Sequence, residues 1–239
     1  MLECPFHASE RHHGRVRSCP LTVTCRALAL ALSLTGFAAI AGLVPARADD
    51  AKAQSAVAAL VAKPGSLPDM ALGSAKAPVT IVEYASMTCP HCAAFEQNVF
   101  PMLKSKYIDG GKVRFVFREF PLDIKAAAAS ILARCIAGDD AEKFFDAVDQ
   151  LFKAQDQLVQ NTLETLRLIG KRQSGMDDEA VAGCEKDQAL LDKIKADQNF
   201  AFETLKVEVT PTFFINGEKL RGAMTFEEID KKIGSLLKR

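Results

Sequence analysis

Two cysteines lie three positions apart between a run typical of a buried strand and a run typical of a helix. The motif C-P-H-C occupies residues 89–92, after the apolar run 79–86 and before the helical run 93–107. Side chains at positions i and i+3 of a helix lie on one face, close enough for a disulfide across its first turn. The chain is therefore expected to place a strand, a turn and a helix in succession around this motif.

The position of Cys89 favours a reactive thiolate. Unpaired N–H groups and the positive end of the helix dipole stabilise a negative charge at a helix start. Pro90 suits the first turn, where no N–H is needed, and a charged or donating His91 would lower the pKa of Cys89 further. Such a thiolate is a good leaving group, so Cys89 and Cys92 are predicted to carry out thiol–disulfide exchange.

Half of a zinc site is the alternative interpretation of the motif. Zinc needs four ligands, but the other histidines, His7, His12 and His13, lie in a segment expected to be removed. We therefore predict a redox site with neither metal ion nor cofactor.

Residues 1–48 show the three-part pattern of a secretory signal peptide. Basic side chains up to Arg26 precede an uncharged stretch at residues 27–44, and Ala-Arg-Ala at residues 46–48 is a small-x-small cleavage site. An uncleaved anchor is the alternative, but the stretch is near the minimum spanning length and rich in small residues. We predict cleavage after Ala48, export to the periplasm and no remaining attachment to the membrane.

Cleavage leaves a nearly neutral chain with an even number of cysteines. Without the leader, 25 basic and 28 acidic side chains remain in 191 residues and no basic block survives, which argues against nucleic-acid binding. Four of the seven cysteines remain. An oxidising compartment allows them to form disulfides.

The hydrophobic pattern predicts two strand-containing segments separated by a helical segment. Residues 49–68 predict a mobile lead-in with a helical turn around residues 55–61. An edge strand at 70–73 and two buried parallel strands at 79–86 and 113–120 are expected next. Later elements are helices at residues 123–137, from 139, from 161, 177–186 and 188–205, a hairpin at 212–221 turning at 216–217, and a capped helix from 225.

Three segments resemble the DsbA-like thiol:disulfide oxidoreductases: A-P-V-T to C-P-H-C at residues 77–92, R-E-F-P-L at 118–122 and V-T-P-T-F-F-I-N-G at 209–217. The resemblance implies an α/β protein, a thioredoxin fold interrupted by an all-helical insertion. The domain boundaries then expected are a signal peptide at 1–48, a lead-in at 49–71, a first thioredoxin half at 72–122, the helical insertion at 123–195 and a second thioredoxin half at 196–239.

The resemblance also implies a substrate-binding segment at Thr210-Pro211. The bond between them would be cis and pack against the redox pair, so that the backbone of Thr210 could pair with an extended substrate. Threonine at this position is a departure, because the strongest oxidases of the family often carry valine there, and isomerases and some oxidases carry threonine.

Two acidic residues match family acids by position. Glu83 lies in an apolar strand; it is either a solvent-facing residue at a strand end or, as the resemblance implies, a proton acceptor for the buried thiol of Cys92. Glu96, one turn after Cys92, either tunes the site or is a simple surface residue.

Cys135 and Cys184 lie in separate predicted helices. They form either a structural disulfide or a pair of buried free thiols, and the exported context and even cysteine count favour the bond.

Together these features predict a periplasmic enzyme, a monomer, that donates the Cys89–Cys92 disulfide to reduced, unfolded exported proteins. The resemblance implies reoxidation by a membrane partner of the DsbB type. An isomerase or reductase is the first alternative, favoured by Thr210, although residues 49–68 are too short for a dimerisation domain. A thiol-based copper-binding protein is the second, but His91 is the only histidine left after cleavage.

Overall fold

A five-stranded mixed sheet forms the centre of the protein in a computed structural model that describes residues 46–238. The strands are β1 Met70–Leu72, β2 Val79–Ala85, β3 Val113–Glu119, β4 Thr212–Ile215 and β5 Glu218–Arg221. Their order in the sheet is β1-β3-β2-β4-β5; β2 and β3 run parallel, and the other neighbouring strands run antiparallel. The predicted edge strand, parallel pair and hairpin are all present.

Helices cover both faces of the sheet. They are α1 Ala46–Val61, α2 Pro90–Asn98, α3 Phe100–Leu103, α4 Ile124–Ala137, α5 Ala141–Lys153, α6 Gln155–Gln160, α7 Thr162–Ser174, α8 Asp178–Glu185, α9 Gln188–Glu203 and α10 Phe226–Leu237, with a π-helical turn at Lys104–Ile108. The β-α-β, helical, β-β-α order predicted from the sequence is therefore confirmed. None of the helices within residues 46–238 has both the length and the apolar character needed to cross a bilayer.

Strand β2 is buried on both faces, which explains why its sequence lacks the alternation of a half-exposed strand. Ile81 belongs to the core shared with α2, α5 and α10, whereas Val82 and Tyr84 belong to a second core with residues of α1 and α9. All three side chains are at most 2% exposed. The sheet is thus the middle layer of three.

The helix after the motif is shorter than predicted. The sequence pattern predicts one helix to residue 107, but α2 ends at Asn98 and the chain continues as α3 and the π-helical turn. Pro101 explains the break, because it lacks an N–H and its ring clashes with the carbonyl group of the residue four positions earlier.

The N-terminal segment also differs from the prediction of a mobile lead-in. Residues Ala46–Val61 form α1, and Val57, Leu60 and Val61 pack beside the core residues of the sheet. Their spacing is that of a single helical face, and the alanine-rich composition favours helix. The predicted cleavage point after Ala48 falls in the first turn of α1, and residues 1–45 of the predicted signal peptide lie outside the described residues.

Arg118 on β3 holds the end of α1. Its Nη2 donates hydrogen bonds of 2.9 Å to the carbonyl oxygens of Val61 and Lys63. Its Nη1 donates to the Tyr84 hydroxyl at 2.9 Å, and its Nε donates to Asp69 Oδ1 at 3.0 Å. A cation at a helix C-terminus bonds the unpaired carbonyl groups and complements the helix dipole.

A second buried arginine joins the helical insertion to the sheet. Arg134 on α4 donates from Nε and Nη2 to the two carboxylate oxygens of Glu119, and from Nη1 to the Pro68 carbonyl oxygen at 2.8 Å. Both ion-pair partners are only 6% exposed. Because a buried charge left without its partner is strongly destabilising, this two-pronged pair fixes α4 against the end of β3.

A disulfide joins two helices of the insertion. The structure bonds Cys135 on α4 to Cys184 on α8, with Cα atoms 6.2 Å apart.

We expect replacement of both Cys135 and Cys184 by alanine to lower the free energy of unfolding by up to about 4 kcal/mol, because the unfolded chain loses a cross-link spanning 49 residues. Urea unfolding should be compared between the Cys89→Ser, Cys92→Ser chain and the same chain with both alanines, so that no other disulfide contributes. Equal stability of the first of these chains with and without a reducing agent would contradict the bond.

The position of α1 can be tested at the hairpin turn. Gly217 has φ +84°, and a Cβ added there would lie 2.7 Å from Ala58 Cα of α1. Gly222 has nearly the same φ, +85°, but open space around it. Both alanine variants incur backbone strain of about 1–2 kcal/mol, and Gly217→Ala should cost at least about 1 kcal/mol more through the clash. Equal urea midpoints for the two variants would show that α1 does not dock there.

Candidate active site

The motif lies at the junction of β2 and α2. Cys89 is the N-cap residue of α2, in an extended conformation, and Pro90 follows at the first helical position. The Cys89 N–H donates to the Ser86 carbonyl oxygen at 3.0 Å, which closes the turn after the strand. The N–H groups of Cys92 and Ala93 both donate to the Cys89 carbonyl oxygen at 3.1 Å. The predicted strand–motif–helix order is present.

The two sulfur atoms lie below the surface as a reduced pair. Cys89 is 5% exposed, Cys92 is completely buried, and both are free thiols. The thiol of Cys89 donates to the carbonyl oxygen of Thr210 at 3.2 Å. The Thr210–Pro211 peptide bond is cis. The structure therefore brings the two segments singled out in the sequence, 121 residues apart, into direct contact.

The surroundings of Cys89 stabilise its thiolate. Its pKa is lowered from the usual 9.0 to about 5, mainly by a hydrogen bond from the Cys92 thiol. Burial opposes the shift, whereas the Thr210 side chain and the backbone N–H groups of Cys92 and His91 reinforce it. Cys89 is consequently the group of the pair that ionises at neutral pH.

Cys92 behaves in the opposite way. Burial raises the pKa of its thiol far above the usual 9.0, and its hydrogen bond to Cys89 and the negative charge of Glu83 raise it further. The neutral Cys92 thiol thus stabilises the Cys89 thiolate, and the Cys89 thiolate in turn keeps Cys92 protonated. The pair therefore retains and shares one proton.

Glu83 and Glu96 are both buried, at 1% and 4% exposure. The pKa of Glu83 is raised well above 4.5, first by burial and then by the charges of Glu96 and Cys89. Burial, with help from Asp149, raises the pKa of Glu96 to about 8. The alternatives of a solvent-facing Glu83 and a surface Glu96 are wrong, because β2 is covered on both faces and α2 turns Glu96 inward.

The motif's middle residues are both exposed. The contribution of the His91 side chain stays a prediction, and the backbone N–H of His91 is among the groups that lower the pKa of Cys89. The first turn of a helix presents such N–H groups largely independently of its side chains, so the position of Cys89 at a helix start is itself a signal in the sequence.

Two further side chains contact the motif loop and carried no such signal in the sequence. Asp123, the N-cap residue of α4, accepts a 2.7 Å hydrogen bond from the Thr88 hydroxyl. Gln155, the first residue of α6, donates to the carbonyl oxygens of Met87 and Cys89. Asp123 was recognisable only as a helix start, and a lone glutamine between two helices has no distinguishing pattern.

Within residues 46–238 there is no cluster of three or more histidine, cysteine, aspartate or glutamate side chains able to hold a metal ion.

A mixed sheet that carries a CxxC pair at a helix N-terminus, opposite a cis-proline, defines the thioredoxin class of dithiol proteins. The thioredoxin family model matches residues 66–235. The crystal structure of Wolbachia pipientis alpha-DsbA1 is similar, with 34% identity and a TM-score of 0.66 over 74% of this chain and 94% of that one. The chain belongs to the thioredoxin family and, within it, to the DsbA-like oxidoreductases, and the predicted thioredoxin fold is confirmed.

Two other relatives agree with this placement. A Rickettsia bellii protein, provisionally named a protein-disulfide oxidoreductase, is 38% identical over 62% of this chain and 57% of its own length. The chain thus spans little more than half of that relative. Disulfide bond formation protein D of Bacillus subtilis is 26% identical over 70% of this chain and 76% of its own.

The hydrogen bond from Cys92 can be tested by removing its donor. Cys92→Ala should raise the pKa of Cys89 by about one to two units, because a hydrogen bond to a charged group is lost. Cys92→Ser keeps a hydroxyl donor and should recover much of the shift. Thiolate absorbance in the ultraviolet measures both titrations, and identical midpoints in the two variants would contradict the assignment.

Proposed function

We propose that this protein is a thiol:disulfide oxidoreductase that introduces disulfide bonds into exported proteins through Cys89 and Cys92. The observation that carries the proposal is the opposite shift of the two thiols, with the pKa of Cys89 at about 5 and that of Cys92 raised. A stable Cys89 thiolate favours the reduced form, so the Cys89–Cys92 disulfide is easily reduced and oxidises other thiols.

The exchange takes place in two displacements. A substrate thiolate attacks Sγ of Cys89, the Cys89–Cys92 bond breaks, and its electron pair goes to Sγ of Cys92, which takes up a proton. A second substrate thiolate then attacks the substrate sulfur of the mixed disulfide and expels Cys89 as a thiolate. Two electrons pass from the substrate dithiol to the protein, and the substrate gains one disulfide.

Glu83 suits the proton transfer at Cys92. Its raised pKa favours the protonated form, and one of its buried oxygens, Oε2, has no hydrogen-bond partner among the described residues. In this proposal Glu83 supplies the proton to the departing Cys92 sulfur, and it accepts the proton again when the disulfide is re-formed.

Thr210 and Pro211 form the proposed substrate contact. In the dithiol the Thr210 carbonyl oxygen accepts the Cys89 S–H. Neither the thiolate nor the disulfide form of Cys89 has an S–H, so in both forms this oxygen is free to accept an N–H from an extended substrate segment beside the sulfur.

The direction of exchange follows from the thiolate. Thr210 supports an isomerase or reductase only through the residue type found in relatives, whereas the low pKa of Cys89 acts directly on the redox equilibrium and favours an oxidase. The relatives named for disulfide bond formation support the same direction. We further propose a periplasmic location, action as a monomer and reoxidation by a DsbB-like membrane partner.

Equilibration with glutathione tests the direction. The potential of the Cys89–Cys92 pair should lie far above the about −270 mV of thioredoxin. Because only the reduced form has an ionisable Cys89, that form should gain stability relative to the oxidised form as the pH rises from about 5 towards 9.0, and lose it as the pH falls through about 5. The oxidised protein is the matched control for this pH dependence. A thioredoxin-like potential would overturn the oxidase proposal.

A further inference from the structure

Gln155 connects the helical insertion to the loop that carries Cys89. Its Nε2 lies 2.9 Å from the Met87 carbonyl oxygen and 3.0 Å from the Cys89 carbonyl oxygen, and it donates to both. It is the first residue of α6, separated from these partners by 68 and 66 positions in the sequence. The contact thus joins two parts of the fold that the chain itself does not keep together.

The two carbonyl groups differ in what else they bind. The Cys89 oxygen also accepts the N–H groups of Cys92 and Ala93 in the first turn of α2. For the Met87 oxygen, Gln155 is the hydrogen-bond donor found within residues 46–238, and Met87 is only 1% exposed. A buried carbonyl group without a donor is costly, so the loop depends on this amide to keep its shape.

The shape of the loop matters for the charge on the sulfur. Backbone N–H groups of His91 and Cys92 help to stabilise the Cys89 thiolate, and they do so only while the first turn of α2 stays in place around the sulfur. The carbonyl oxygens of Met87 and Cys89 are the negative ends of nearby dipoles and oppose that charge. A hydrogen bond from the Gln155 amide to each of these oxygens offsets part of their unfavourable effect on the thiolate.

The loop is held from its other side as well. The Thr88 hydroxyl donates to Asp123 Oδ2 at 2.7 Å, and the Leu122 N–H donates to Ser86 Oγ at 3.3 Å. These contacts come from the segment that directly follows β3. Gln155 therefore supplies the contact that comes from the middle of the helical insertion. It binds the carbonyl groups of Met87 and Cys89, on either side of Thr88 and next to the start of α2.

We propose that Gln155 is a positioning residue of the exchange site, whose side-chain amide holds the Met87 and Cys89 carbonyl groups so that the first turn of α2 presents its N–H groups to the Cys89 sulfur. The inference rests on the proposed function, since it concerns the same dithiol. It assigns to the insertion a part in setting the acidity of Cys89 and, through it, the redox potential.

Two variants and one control test this role. Gln155→Leu removes both donors and nearly keeps the volume. Gln155→Glu keeps the shape, replaces the donors by acceptors, and suits the first turn of a helix, where a negative charge is favourable. Gln157→Leu is the matched control on the same short helix, because Gln157 is exposed and its side chain makes no hydrogen bond within the described residues.

Thiolate absorbance as a function of pH and equilibration with glutathione are the measurements. We expect Gln155→Leu to raise the pKa of Cys89 by about one unit and Gln155→Glu to raise it further, with Gln157→Leu unchanged. The glutathione equilibrium should shift towards the oxidised protein by about tenfold in Gln155→Leu, because its thiolate stabilises the reduced form less. A merely structural role would lower thermal stability without moving either the titration or the equilibrium.

The outcomes separate this inference from the proposed function. If the pKa of Cys89 is low in the wild type and the same in Gln155→Leu, the positioning role is overturned and the oxidase proposal still stands. A wild-type Cys89 that ionises only above neutrality overturns the oxidase proposal itself. If Gln155→Leu does not fold, Gln155→Glu decides the question, and an unchanged pKa in that variant overturns the role.

Discussion

The antiparallel pairing of β2 with β4 is the constraint on which the site depends. In its register Tyr84 lies opposite Thr212, so the chain leaving β2 runs beside the chain entering β4. The first of these chains leads to Cys89 and the second carries Thr210 and Pro211. A shift of the pairing by one residue would reverse which side chains face each core and would separate the sulfur from the Thr210 carbonyl group. Burial of β2 on both faces prevents that shift.

Burial then gives chemically similar groups different roles. Cys89 lies at the helix terminus, where N–H groups reach it, whereas Cys92 lies one turn further in, where they are already used by the helix. The same low-polarity layer raises the pKa of Glu83. Cys89, whose charged form is favoured, thus lies next to Cys92 and Glu83, whose neutral forms are favoured. Proton-coupled exchange of a disulfide requires this arrangement.

Much of this arrangement could be predicted from the sequence, and the exceptions have identifiable causes. The buried strands, the motif at a helix start and the hairpin turn follow from local patterns with a period of two or 3.6 residues. The break at Pro101 is also a local signal, because a proline interrupts a helix even where the surrounding periodicity is helical. The docking of α1 depends on partners such as Arg118 that lie far away in the sequence.

The site shows the same division between local and long-range signals. Cys89 and Cys92 are recognisable by spacing alone, and Thr210–Pro211 became recognisable through the family resemblance. Gln155 was not recognisable in either way, because its partners are backbone carbonyl groups and such contacts leave no trace in residue type. Part of the stabilisation of the Cys89 thiolate comes from the backbone N–H of His91, which any residue except proline would supply at that position.

The buried hydroxyl of Tyr84 beneath α1 has a consequence for spectroscopy. The chain has no tryptophan and only two tyrosines, so its near-ultraviolet emission comes from very few rings. One of these rings lies on the face of the sheet opposite Cys92, with its hydroxyl bonded to Arg118. Light emitted by Tyr84 therefore reports whether the N-terminal helix is seated, whereas the other ring, Tyr107, belongs to the core that contains Cys92.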